Sequence, residues 1–167
     1  MTAAPHASTP QTEPQWLSAA EMDTWMNLAQ VLMLTPTALD RQLREEAGLP
    51  HTHYHILSAL SGQPDRAIRM TELARRAGTT TTRLSHAVSA LEQRGWVGRR
   101  ACRTDKRGQI AYLTDAGLAV LEEAAPGHVA EVRRLVFDHL TEDDVRRLGA
   151  ITGKLLPILN GSPNPSS

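Results

Sequence analysis

Residues 79–117, TTTTRLSHAVSALEQRGWVGRRACRTDKRGQIAYLTDAG, constrain the fold more than any other stretch of this chain. Thr80 is a candidate N-cap for a helix over about 81–94. Within that span Leu84, Ala87, Val88 and Leu91 recur at i, i+3, i+4 and i+7, the spacing of one buried helix face. Gly95 terminates the helix. Residues 97–102 and 109–113 have strand character and pair as a hairpin around a loop at 103–108. Thr114 then caps another helix. A helix, a hairpin with a long basic loop, and a second helix follow one another within 39 residues.

The flanking sequence is helical. Ser18-Ala-Ala-Glu21 fits a capping box, and apolar residues from Met22 to Met33 follow at helical spacing. Pro36 either kinks this helix or starts a second piece capped by Thr35. Gly48 stops it. Thr52 is a candidate cap for a short helix ending near Gly62. Residues 67–70 form a possible short strand, and Thr71 caps a helix over 72–77 ended by Gly78. A long helix is expected over about 115–139, disturbed at Pro126-Gly127. Thr141 caps a last helix that runs to about 156. Residues 1–14 and 161–167 read as disordered tails. The remaining segments are 15–62, 63–114 and 115–160.

The formal net charge of zero conceals an uneven distribution. From Arg66 to Gly108 there are eleven Arg/Lys against three Asp/Glu; elsewhere seven face fifteen. A basic segment in an otherwise acidic chain is the footprint of a polyanion-binding surface. The single cysteine excludes an internal disulfide and suits a reducing cytoplasm. No apolar run approaches the roughly 20 residues of a membrane span, so no membrane partner is expected. With six aromatic residues in all, the core must be built from Leu, Ala and Val.

Opposite the apolar face of helix 81–94 lie Thr82, His86, Ser89 and Gln93, flanked by Arg83 and Ser85. Small polar groups let a helix sit deep in a major groove about 12 Å wide, where its N-terminal residues meet base edges first. Taken alone, this face reads as that of an ordinary solvated helix. The hairpin tips the balance. Arg99, Arg100, Arg103, Lys106 and Arg107 fall within nine residues. Such a loop can enter a minor groove, where Arg matches the negative potential. Asp105 can hold an Arg of this cluster in a fixed pose.

These residues resemble the multiple-antibiotic-resistance regulator (MarR) family of bacterial transcription factors. The likeness rests on Glu72-Leu73-Ala74, on Leu91-Glu92-Gln93-Arg94-Gly95-Trp96-Val97, and above all on Asp105-Lys106-Arg107 followed by Tyr112-Leu113-Thr114-Asp115-Ala116-Gly117. The family's wing signature is Asp-x-Arg, a short strand, then Leu-Thr-x-x-Gly. The resemblance implies a mainly α fold with a small β-hairpin wing: a winged helix-turn-helix at 63–114 between dimerisation helices at 15–62 and 115–160. It implies a homodimeric, ligand-responsive repressor on a pseudo-palindromic operator. DNA contacts are then expected at Thr81, Thr82, Arg83, Ser85 and His86 in the major groove. In the minor groove they are expected at Arg103, Lys106 and Arg107, with Asp105 in support. A small aromatic effector would lie between the dimer helices and the DNA-binding module.

Other residues suggest alternatives. His51 and His55 are four apart, a known metal-ligand spacing. They make a zinc-sensing regulator of the same fold one alternative, although pocket lining is the favoured reading and no cofactor is expected. Trp25, His51 and His55 are the candidate ligand contacts. Cys102 lies among arginines that can lower a thiol pKa, but it reads as a plain strand residue. Nothing supports an enzyme: Ser85 and His86 are adjacent and cannot face each other on a helix. A helical interaction module that does not bind DNA is the remaining alternative.

Overall fold

The computed structural model describes residues 14–102 and 105–161, with side chains described except at 105–107. Along these residues run α1 (Ala19–Ala47), α2 (His51–Ser61), β1 (Ala67–Arg69), α3 (Met70–Arg76), α4 (Thr81–Gln93), β2 (Val97–Cys102), β3 (Asp105–Leu113), α5 (Asp115–Leu135) and α6 (Glu142–Leu159). The expected tails lie outside the described residues, apart from Pro14 and Gly161.

The chain divides into two units. The first ends at Leu34 and holds the capped start of α1. Glu21 accepts from the Ser18 backbone N–H (2.8 Å), and Ser18 Oγ accepts from the Glu21 N–H (3.3 Å), the expected capping box. Trp25, Met26, Val31, Leu32, Met33 and Leu34 are all more than half exposed here.

The second unit begins at Thr35. Its core contains Leu43, Leu49, Ile56, Leu57, Leu60, Leu73, Leu84, Val88 and Leu91, all fully buried. These aliphatic side chains come from α1, α2, α3, α4 and the α1–α2 connection, so the core fixes the helices that flank the hairpin. Strand order is β1-β3-β2, antiparallel throughout. Gly98 pairs with Tyr112, and a Cβ at Gly98 would lie 2.3 Å from Tyr112 Cζ. The missing side chain lets the ring lie across the strand, and Arg100 stacks beyond it, 5.7 Å from the ring centre.

The wing joins α5 through Thr114. Its Oγ1 accepts from the Gly117 N–H (3.0 Å) and donates to Gly95 O (2.7 Å), while its own N–H donates to Trp96 O (3.1 Å). A Cβ at Gly117 would sit 2.1 Å from Trp96 O. Thr114 thus caps α5 and ties it to the end of α4, and only glycine permits the approach. This is the physical content of the Leu-Thr-x-x-Gly signature.

Several boundaries differ from expectation. Helix α1 is continuous through Pro36, so Thr35 opens no second piece, and α5 is continuous through Pro126 and ends at Leu135, short of residue 139, with Val136 after it at φ −130° and ψ −66°. Thr52 does not cap α2, which starts at His51 after Pro50. Its free N-terminus is met from a distance, because the His51 N–H donates to Asp40 Oδ1 of α1 (2.9 Å). Thr71 does not cap α3, which starts at Met70, two residues earlier than expected, as β1 runs directly into it. Residues 105–108, expected in the loop, belong to β3. Helix α6 continues to Leu159, and Thr141 caps it through a box with Asp144.

Candidate nucleic-acid interface

Helix α3, a turn ending at Thr80, and α4 form a helix-turn-helix. Gly78 takes φ +59° and stops α3, with the Thr79 N–H donating back to Ala74 O (3.0 Å). Thr80 Oγ1 accepts from the Arg83 N–H (3.3 Å) and opens α4. The wheel separates as expected: Leu84, Val88 and Leu91 are buried, whereas Thr81, Thr82, Arg83 and His86 are exposed. Four candidate readers therefore occupy the capped, electropositive end of one helix.

The arginines around this helix differ in how their charge is used. Glu72 on α3 accepts from Arg75 (2.7 and 2.6 Å) and Arg76 (2.8 Å), and these cations hold its carboxyl down at about 2. Arg94 stacks on Trp96, 4.8 Å from the ring centre. Arg99 of β2 donates to Ser89 Oγ (2.9 Å) and Ser85 Oγ (3.3 Å) and ion-pairs with Glu92. Ser85, expected among the DNA contacts, is half-buried and faces the wing strand through Arg99. Arg83 has no ion-pair partner among the described residues. Of the expected wing contacts, Arg103 lies outside the described residues. The backbones of Asp105, Lys106 and Arg107 lie on β3, and their side chains lie outside the description.

A sequence profile of the MarR family matches residues 47–108. Sco3205, a MarR family transcriptional regulator from Streptomyces coelicolor solved in complex with DNA, is 48% identical. The likeness covers 86% of this chain and 94% of that one, with a TM-score of 0.81. AbsC, a MarR family regulator from the same organism, is 33% identical over 89% of this chain and 100% of its own, also at TM-score 0.81. The transcriptional repressor YetL of Bacillus subtilis is 31% identical over 65% of this chain; the chain spans 66% of its length, just under two thirds.

The chain belongs to the MarR family. Its winged helix-turn-helix and β-hairpin wing are those expected from the resemblance, and β1 joins the hairpin to make a three-stranded sheet. In this MarR-family chain a second cluster lies behind the helix-turn-helix. The rings of His51 and His55 meet edge to face at 4.4 Å, and His128 of α5 lies 5.7 Å from His51 and 4.1 Å from Tyr54. Burial, then the neighbouring His55 and His128, push the His51 pKa down to about 4. Burial also lowers His55 and His128. A cavity of about 480 Å³ is lined by Tyr54, His55, Ser58, His128, Val129, Val132, Arg133 and Phe137. Another of about 350 Å³ is lined by His51, Thr52, His55, Arg76, Ala77 and Gly78. His55 faces both.

The sequence paired His51 with His55 but missed His128, Tyr54 and Arg133, because nothing local announces that α5 packs on α2. Trp25, the third expected ligand contact, lies in the first unit and is 53% exposed. Among the described residues no group of three or more His, Cys, Asp or Glu side chains is arranged to hold a metal ion, which leaves the zinc-sensing alternative without a ligand set there. No helix of the described residues is long and apolar enough to cross a membrane. Cys102 is buried.

Proposed function

We propose that this protein is a sequence-specific, double-stranded DNA-binding repressor that acts as a homodimer on a pseudo-palindromic operator. The observation that carries this reading is the exposed Thr81, Thr82, Arg83 and His86 at the capped end of α4, beside a strongly basic wing. Helix α4 enters the major groove with these residues, and the wing at 103–108 enters the minor groove with Arg103, Lys106 and Arg107, Asp105 supporting them. Sco3205, 48% identical to this chain, was solved in complex with DNA, and that likeness supports DNA as the partner here.

Pairing of two chains is supported by apolar faces that the single chain leaves open. On α6, Ile151 is 54% exposed and Leu156 60%; on α1, Leu32 is 60% exposed. Burying such faces against a second copy removes apolar surface from water and sets two reading helices apart by a fixed distance. Repression is relieved by a small aromatic effector. The cavity lined by Tyr54, His55 and His128 suits it, being aromatic-rich with Arg133 in its lining. Because His55 also faces the cavity against Arg76 and Gly78, an effector that moves α2 moves the helix-turn-helix.

A mobility-shift titration tests the reading. Duplex from upstream of the protein's own gene should bind far more tightly than a random duplex of equal length. Equal affinity for the two would refute it.

A further inference from the structure

The guanidinium of Arg99 holds three successive turns of α4. Ser85, Ser89 and Glu92 stand at i, i+4 and i+7, one stripe down the helix. Arg99 reaches all three: Ser85 Oγ at 3.3 Å, Ser89 Oγ at 2.9 Å, and the Glu92 carboxylate as an ion pair. The side chains of Arg99 and Glu92 are only 24% and 27% exposed. Backbone pairing places Arg99 opposite Ala111 in the middle of the hairpin. The hairpin and α4 therefore meet through one rigid, planar fork, and such charge-assisted contacts are both strong and directional.

We propose that Arg99 is a positioning residue that locks the wing to the recognition helix, so that the two DNA-facing elements move as one body. This rests on the DNA-binding reading above. Its positive charge, although it belongs to the basic cluster, is spent on Glu92 and is not delivered to phosphate. Ser85 and Ser89 act through Arg99 as anchor points and are not base readers. The exposed residues Thr81, Thr82, Arg83 and His86 remain the reading face.

Phosphate contacts and positioning residues leave different marks on salt dependence. A lost phosphate contact lowers the slope of log affinity against log salt by about 1 per protomer and weakens all sequences alike. A lost positioning residue leaves the slope unchanged and weakens the specific sequence most. Full-length wild type, Arg99→Met, Arg99→Lys, Ser89→Ala and Glu92→Gln are compared on the promoter duplex and a random duplex over a range of salt. Thermal melts serve as the folding control.

For Arg99→Met the ratio of specific to random affinity should fall by about tenfold or more at unchanged slope. Arg99→Lys, which keeps the charge but loses the fork, should restore only part of the ratio. Glu92→Gln should lower the ratio and raise affinity for the random duplex, because it releases the Arg99 cation. A slope reduced by about 1 per protomer in Arg99→Met, with both duplexes weakened alike, would overturn the proposal in favour of a phosphate contact. An unchanged ratio would overturn it outright. If Arg99→Met fails to fold, Glu92→Gln and Ser89→Ala decide by the same criteria. Wild type failing to prefer the promoter duplex would count against the DNA-binding reading, whereas a change confined to the variants bears on Arg99 alone.

Discussion

Gly117→Ala should unfold this protein more readily than its position in a helix suggests. In an open helix the change gains about 1 kcal/mol from propensity. Here the new methyl would lie 2.1 Å from Trp96 O and 2.8 Å from Leu113 Cδ1. Ordinary carbon–oxygen contact is more than 3 Å, so the first turn of α5 must retreat by about 1 Å. Retreat strains the three bonds that converge on Thr114, at 3.0, 2.7 and 3.1 Å. Overpacking costs about 1–3 kcal/mol and a weakened cap about 1 kcal/mol or more. Net of the propensity gain, the loss is about 1–3 kcal/mol, or roughly 2–12 °C in Tm for a chain of this size. Differential scanning calorimetry at fixed protein concentration measures it. A Tm equal to or above wild type would show that the wing–α5 junction has slack, and the account of the Leu-Thr-x-x-Gly signature would fail.

Two further perturbations follow from the same contacts. Asp40→Ala removes the acceptor that α1 offers to the His51 N–H, so urea unfolding should show a loss of about 1–2 kcal/mol, the usual worth of a helix cap; a midpoint unchanged from wild type would mean that water serves α2 equally well. Because the folded His51 pKa is pushed down to about 4 while the unfolded residue titrates near 6.5, both states are neutral above about pH 7. As pH falls from 6.5 towards 4 the unfolded chain binds the proton first, and stability declines by about 1–2 kcal/mol once partial exposure is allowed for. His53, His55 and His128 act in the same direction. His51→Gln should flatten the decline, and a stability independent of pH between 7 and 5 would contradict the desolvation of His51.

Features set by neighbouring residues were legible in the sequence. Thr80, Thr114 and Thr141 cap the helices assigned to them, and Gly48, Gly78 and Gly95 carry the positive φ that ends α1, α3 and α4. The spacing of Leu84, Val88 and Leu91 marked the buried face of α4 because that periodicity is local. What failed depended on residues far apart in the chain. Thr52 was the better local cap for α2, but Asp40 reaches the helix from eleven residues earlier. Pro36 offered either a kink or a second piece capped by Thr35, and the helix continues through it without a second start. Ser85 was legible as part of the polar side of the wheel, whereas its hydrogen bond from Arg99 depends on the approach of β2 and is not written in the local sequence.

The most direct test of the central claim is fluorescence anisotropy of a labelled promoter duplex, titrated at salt from about 50 to about 200 mM. Full-length protein is compared with Arg83→Ala and Arg107→Ala. Tight, specific binding should weaken steeply with salt, and each substitution should raise Kd, with Arg107→Ala the more severe. Binding that ignores sequence and is unchanged in both variants would contradict a DNA-reading role for α4 and the wing.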